Sequence, residues 1–185
     1  MATLWIGQDY LINKSVIDSN VDYTKITPVI ELVQDKYMLP ILGTDLYNAI
    51  DTALQAYIDS NTTIPARFQT IIDQYILKAL TYYILAEASD TFKYRYANKG
   101  ILEKTGSEST SVDNMALQRL IDKWENNAEL YVNQLIKYLR FYSSTYPEYS
   151  SISTGQFKIL PATDAFDVPL YMGESFPQRR NPNEG

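Results

Sequence analysis

From Thr24 onward the apolar positions Ile26, Val29, Ile30, Val33 and Tyr37 recur at the three- and four-residue intervals of one helical stripe, with Glu31, Asp35 and Lys36 off it. This spacing predicts a first helix over about 24–38. Pro28 is tolerable only in a first turn, which places the start of regular helix no earlier than about Thr24.

The segment Tyr37-Met38-Leu39-Pro40-Ile41-Leu42-Gly43-Thr44-Asp45-Leu46-Tyr47 reads as a helix stop, an apolar bridge and a helix start. Pro40 disfavours helical geometry at Leu39, Gly43 supplies a flexible position, and Thr44 is a good N-cap with Asp45 in the next turn. Leu39, Ile41 and Leu42 are then expected to be buried at a corner between two helices. The second helix carries Leu46, Ile50, Leu54 and Tyr57 on one face and ends at Ser60-Asn61-Thr62-Thr63.

After Pro65, placed as a helix N1 residue, a third helix is predicted over about 65–94, with Phe68, Ile71, Ile72, Tyr75, Ile76, Ala79, Leu80, Tyr83, Ile84 and Ala88 on its stripe. Between Gln74 and Glu87 the only charge is Lys78, so this helix is apolar on more than one side and should be central. Residues 97–111 form the clearest loop, and Ile101 and Leu102 allow its first half to be an extended arm or hairpin. A fourth helix over about 112–144 bears Leu117, Leu120, Ile121, Trp124, Ala128, Tyr131, Leu135, Tyr138, Leu139 and Tyr142. At about 1.5 Å per residue it approaches ~50 Å, more than a compact domain of this size needs, so part of it should project or pack on another subunit.

The two ends lack this periodicity. Residues 1–21 alternate Leu4-Trp5-Ile6 and Tyr10-Leu11-Ile12 with polar residues, an arm with at most a turn of helix at Asp9–Asn13. Tyr146-Pro147 ends the fourth helix, and residues 150–185 carry isolated apolar anchors among prolines and glycines. A tail this apolar is not typical disorder; it reads as an extended segment that docks into grooves on its own body or on a neighbour. The fold expected is all-α: a small bundle of about four helices spanning 1–149, with a long inter-helix loop and an extended C-terminal arm.

Composition narrows the function classes. The chain has 185 residues, enough for one domain with a proper core. Its 16 tyrosines against 6 phenylalanines and 2 tryptophans suit half-buried and contact positions. With 16 basic and 22 acidic residues and a formal charge of -6, the surface repels a phosphate backbone, which disfavours a DNA-binding domain. Cysteine and histidine are both absent, which removes thiolate nucleophiles, disulfides, zinc-finger sites and Ser-His-Asp triads. The N-terminus has no basic n-region followed by a long apolar run, so no signal peptide is expected, and no stretch of about 18 apolar residues suggests a membrane span.

Any remaining chemistry would rest on carboxylates, lysine or tyrosine. Glu125 and Glu129, one turn apart on the fourth helix, could form an acid pair, as could Asp122 with Glu125. Carboxylates on a polar helix face are usually solvated, and no dense Asp-x-Asp-x-Asp-Gly loop exists for a cation. No catalytic, cofactor-binding or metal-ligating residue is therefore assigned, and the chain is expected not to be an enzyme.

The order of these segments resembles the head-to-tail connector (adaptor) proteins of tailed bacteriophages, most closely those of phages infecting Bacteroidota. The resemblance is carried by Leu4-Trp5-Ile6, the helix with Ile30 to Gln34, the segment Leu39 to Tyr47, the Asn98-Lys99-Gly100-Ile101 turn, and the aromatic fourth helix ending at Tyr146-Pro147, covering roughly residues 3–149. It implies a structural virion protein at the head-tail junction, made in the host cytoplasm. Rings of roughly twelve copies would bind portal protein above and tail proteins below around a channel through which DNA passes as cargo, with no membrane involved. Carried over by position, the loop around 98–111 and the tail after Ser150 are the arms that reach neighbours. Candidate inter-subunit or partner contacts are then Tyr94, Tyr96, Lys99, Ile101 and Leu102 on the loop side, and Phe157, Ile159, Phe166, Leu170, Tyr171 and Phe176 on the tail. The alternative reading is a helical protein interaction or scaffolding module outside any virion, with the tyrosine-rich third and fourth helices as its partner groove.

Overall fold

A computed structural model describes residues 3–18, 21–97, 100–103, 114–150 and 158–162. Its elements in chain order are α1 (Gln8–Lys14), α2 (Tyr23–Val33), α3 (Leu39–Ser60), α4 (Ala66–Ile71), α5 (Leu77–Lys93), the strands β1 (Tyr94–Ala97) and β2 (Gly100–Glu103), and α6 (Asn114–Phe141). A π turn at Gln34–Met38 joins α2 to α3, another at Ile72–Ile76 joins α4 to α5, and a 3₁₀ turn at Pro147–Tyr149 follows α6. The result is the expected helical bundle built on four long rods, with one antiparallel hairpin between the third and fourth.

The corner between the first two rods sits three residues later than the proline suggests. Leu39 is helical, at φ -60° and ψ -47°, and Pro40 lies within the helix. The π turn explains why: the Leu39 N–H bonds the Gln34 carbonyl five residues back, and this widening relieves the clash of the Pro40 ring with the preceding turn. The break falls at Gly43, with φ 73° and ψ 160°, a conformation essentially closed to residues with a Cβ. Thr44 is not an N-cap; its hydroxyl serves the C-terminal segment described below. Ile41 and Leu42 are buried as expected, as is Gly43 between them and the next helix, whereas Leu39 is only half-buried.

Other boundaries shift by a residue or two. Asp22 caps α2 by accepting the Thr24 N–H at 3.1 Å, so the helix begins at Tyr23 and Pro28 sits in its second turn. Pro65 precedes α4 as its cap residue instead of opening it. Asn61, at φ 51°, closes α3 in the left-handed conformation, its N–H bonding back to the last helical turn. Tyr57, placed on the α3 stripe, is instead about half exposed at 49%. The N-terminal arm carries two helical turns, not one.

The third rod is central. Phe68, Ile71, Ile72, Ile76, Ala79, Leu80, Tyr83, Ile84, Leu85, Ala86 and Ala88 are all buried along it. All but Leu85 and Ala86 meet Ile26, Ile30 and Val33 of α2, and Ala128, Val132, Leu135, Ile136 and Leu139 of α6, in one continuous core. The N-terminal arm closes that core with Trp5, Ile6 and Leu11, and Tyr146 and Tyr149 cap its other end. In α6 all the buried residues lie from Ala128 onward, so its first fourteen residues stand on the bundle without entering it.

The hairpin grows directly from the end of α5, pairing Tyr94 with Glu103, Arg95 with Leu102, Tyr96 with Ile101 and Ala97 with Gly100. This is the hairpin that Ile101 and Leu102 suggested. The rest of the loop, 104–111, and the start expected for the fourth helix at Val112 lie outside the described residues.

Candidate functional site

The elbow at Gly43 is where the N-terminal arm and residues 158–162 converge. Residues 158–162 form a strap across it. The Thr44 N–H donates to the Ile159 carbonyl at 3.0 Å, the Ile159 N–H donates to Thr44 Oγ1 at 2.9 Å, and the Ala162 N–H donates to the Pro40 carbonyl at 2.8 Å. Lys158 Nζ reaches both carboxylate oxygens of Asp45, at 2.7 and 2.6 Å. The break at Gly43 makes this possible: in an unbroken helix the Thr44 N–H would bond the Pro40 carbonyl four residues back, and the non-helical Gly43 leaves both groups to pair with the strap instead.

Each such bond contributes about 1 kcal/mol net. Fixing each of the strap residues costs about 1–2 kcal/mol of backbone entropy, so polar pairing alone falls short of the ordering cost. Apolar packing decides the outcome, and it is tight: a Cβ built on Gly43 would lie 2.8 Å from Pro161 Cδ and 3.2 Å from the Ile159 carbonyl oxygen.

On the opposite flank of the elbow the N-terminal arm is sewn down. Gln34, buried in the first π turn, accepts the Trp5 N–H through Oε1 at 3.0 Å and donates through Nε2 to the Thr3 carbonyl at 2.9 Å. Trp5 Nε1 donates to Asp51 at 2.9 Å, and its ring lies 4.6 Å from that of Tyr47. Tyr47 in turn donates to Asp35 at 3.2 Å, clamping the helix after the elbow to the turn before it. Burial, chiefly, pushes the Tyr47 hydroxyl up to about 12.

A second candidate is an open acidic cleft of about 260 Å³ lined by Ala86, Glu87, Gln118, Ile121 and Glu125. Glu87 is held by Lys36 Nζ and by the Tyr37 hydroxyl, which donates at 2.7 Å. Tyr37 stacks on Tyr83 with ring centroids 3.9 Å apart, and burial pushes both hydroxyls well above the ordinary tyrosine range. Glu125 and Glu129, the sequence-suggested acid pair, are both shifted up, first by desolvation and then by neighbouring carboxylates. Such groups take up protons more readily than solvated ones, which is the condition for acid chemistry; equally, it follows from crowding three carboxylates on one helix face. Among the described residues no group of three or more acidic side chains is arranged to hold a metal ion.

The third candidate is aromatic. Tyr82 stacks with Trp124 at 5.8 Å and with Tyr131 at 5.9 Å, tying α5 to the less buried half of α6. Farther along, Tyr138 lies 5.4 Å from Tyr75 and 4.6 Å from Tyr142, which contacts Phe141 at 4.8 Å. With Gln134 and Lys137 these residues line a shallow groove of about 360 Å³. Phe141 is 80% exposed there, an unusual position for a phenylalanine.

The contacts expected from sequence fall in different places. Tyr94, Tyr96, Ile101 and Leu102 share the hairpin and are brought together by its register. Lys99 lies in the turn outside the described residues, as do Phe157, Phe166, Leu170, Tyr171 and Phe176. Ile159 is in the strap, held by its backbone to Thr44 of its own chain. Sequence reasoning missed Gln34, Thr44 and the Asp45–Lys158 pair as organising residues. The last two are far apart in the chain, and no local periodicity links them; only the glycine at a helix break pointed to the place.

The fold and its organising contacts define a helical-bundle protein whose corner is closed by its own C-terminal strap. The chain belongs to the family of unknown function DUF6712, whose model matches residues 38–158. That stretch begins in the π turn before the elbow and ends at Lys158, the strap residue paired with Asp45. Among curated proteins and among solved structures there is no match. No helix of the described residues is long and apolar enough to cross a membrane.

Proposed function

We propose that this chain is a structural protein of a tailed-phage virion, a connector subunit that forms a ring between portal and tail and leaves a channel for DNA. The observation that carries the reading is an uncovered face: the first half of α6 lies along α5 with no fully buried residue, and the hairpin at Tyr94–Glu103 extends from the neighbouring end of α5. Met115 and Leu120 are exposed on that half, at 65% and 38%, as suits a surface completed by another subunit. The formal charge of -6 supports it further, since a channel wall that repels phosphates lets DNA slide. In this role the acidic cleft is a solvated face and the protein is not an enzyme.

The mass of the purified chain, alone and mixed with the portal protein of the same phage, tests the reading. A ring, or a monomer that becomes one on the portal, is expected. A monomer indifferent to portal and tail proteins overturns it and leaves the scaffolding-module reading, which the exposed aromatic groove favours.

A further inference from the structure

The contacts that hold the strap read a short peptide, not the chain it belongs to. We propose that the elbow is a peptide-binding slot, and that it accepts residues 158–162 of a second copy in place of its own.

The slot has a direction and a register. Thr44 exchanges two bonds with Ile159, its N–H to the Ile159 carbonyl and the Ile159 N–H to its Oγ1, and the Pro40 carbonyl takes the Ala162 N–H. Ascending positions on the strap thus meet descending ones at the helix break, as when a strand is added antiparallel to an edge. Side chains set the register: Lys158 sits on Asp45, and Pro161 lies where Gly43 has no Cβ. Leu160 beside it is 61% exposed and is not read. The ligand is therefore an extended segment of the form Lys-aliphatic-any-Pro-small, which every copy carries at 158–162.

The hold is also local. The bonds above are all made by residues 40–45; away from the elbow, the Tyr149 hydroxyl lies 3.5 Å from the Ala162 carbonyl oxygen, long for an O–H···O bond. Lifting the strap deprives the Thr44 N–H and the Pro40 carbonyl of their partners beside the buried Ile41 and Leu42, so an opened slot is refilled by whichever strap is nearest. A neighbour's strap can be the nearest one. Residues 151–157 join Ser150 to Lys158, a length of chain that extends up to about 25 Å, against the ~10–12 Å width of a helix.

Bond for bond the slot is filled alike from either chain, so concentration decides. The tethered strap competes at an effective concentration of about millimolar, and exchange prevails where subunits are packed to that density. It needs two copies side by side and no ring, so it stands apart from the virion reading.

Charge reversal in full-length chains tests the exchange. A chain with Asp45→Lys and a chain with Lys158→Glu should each hold its own strap poorly, with amide exchange at Ile159 and Ala162 about tenfold faster than in the native chain. Protection of α5 in each shows that the bundle remains folded. Mixed in equal amounts at about millimolar concentration, each slot finds opposite charge only on the other chain's strap. Native exchange rates should return, together with a species of two chains. The double variant Asp45→Lys/Lys158→Glu should regain protection as a single chain. Persistently fast exchange in the mixture, beside a protected double variant, overturns the proposal, because the slot then takes only its own strap. Fast exchange in the double variant as well overturns it too, because the charge pair then does not select the occupant.

Discussion

Gly43 and Pro161 approach so closely that the glycine's missing side chain is a structural requirement: a Cβ at Gly43 would lie 2.8 Å from Pro161 Cδ. Two separate demands meet at this residue, the contact and a φ of 73°. Gly43→Ala should lose about 1–3 kcal/mol for the backbone conformation alone. Adding Pro161→Gly should recover the contact part and leave the conformational part, so urea unfolding of the single and double variants separates the two. Equal stability of Gly43→Ala and wild type would show that the corner is not where the chain breaks.

Thr44 and Asp45 hold the strap through groups that substitution can delete one at a time. Thr44→Val removes the acceptor of the Ile159 N–H and should cost about 1 kcal/mol. Lys158→Met should cost about as much, because the Lys158 and Asp45 side chains are only 18% and 24% exposed. Both variants should accelerate amide exchange at Ile159 and Ala162 while leaving α5 protected, the signature of a strap opening without global unfolding.

The carboxylates divide by sign. Glu148 accepts two bonds from Arg67, at 2.6 and 2.8 Å, and that pairing holds its carboxyl below the ordinary range. Its contribution is present above the ordinary carboxylate pKa and is lost as pH falls through the depressed value. Glu125 and Glu129 are raised, chiefly by burial, so they oppose folding once ionised and stop doing so as pH falls through their raised values. Glu148→Gln should therefore cost about 1 kcal/mol at neutral pH and flatten the acid limb of the stability curve. Glu129→Gln should raise stability at neutral pH and leave that limb in place, as denaturation measured from about pH 3 to 7 will show.

Tyrosine ionisation gives an independent check on the stacked pair at the acidic cleft. Tyr37 and Tyr83 are raised by burial, with Glu87 adding to the shift at Tyr37. In an alkaline absorbance titration these two should ionise only with unfolding, after the exposed tyrosines have titrated. Tyr37→Phe should remove one late-ionising group and cost about 1 kcal/mol, since Glu87 loses a donor.

The rods were legible because their cause is local. Ile26, Val29, Ile30 and Val33 repeat at helical spacing, and all four are buried. The elbow was legible in the Tyr37 to Tyr47 segment, with Gly43 as its flexible position, but reading Pro40 as a stop ends the first helix at about 38, short of where it breaks. A helix can absorb a proline by widening one turn, whereas a positive φ with extended ψ cannot be absorbed, so Gly43 prevails. The strap was legible as an extended docking segment, but its partner was out of reach: Lys158 and Asp45 sit 113 residues apart, and a short segment without period carries no record of what it pairs with. The aromatic groove lay between. Its tyrosines were visible as a stripe, but the exposure of Phe141 depends on where α6 ends against Tyr75.

Gln34 has a consequence of its own for how the N-terminal arm is attached. One side-chain amide, facing Thr3 and Trp5, offers the same donor and acceptor that a neighbouring peptide group would. The arm thus has the register of its backbone at Thr3 and Trp5 written by a side chain on a π turn, without borrowing any bond from the helical ladder. Lifting the arm would leave the rods hydrogen-bonded as before, but it would also strip Trp5, Ile6 and Leu11 from the core, so the arm is a stave of the bundle and not an accessory to it.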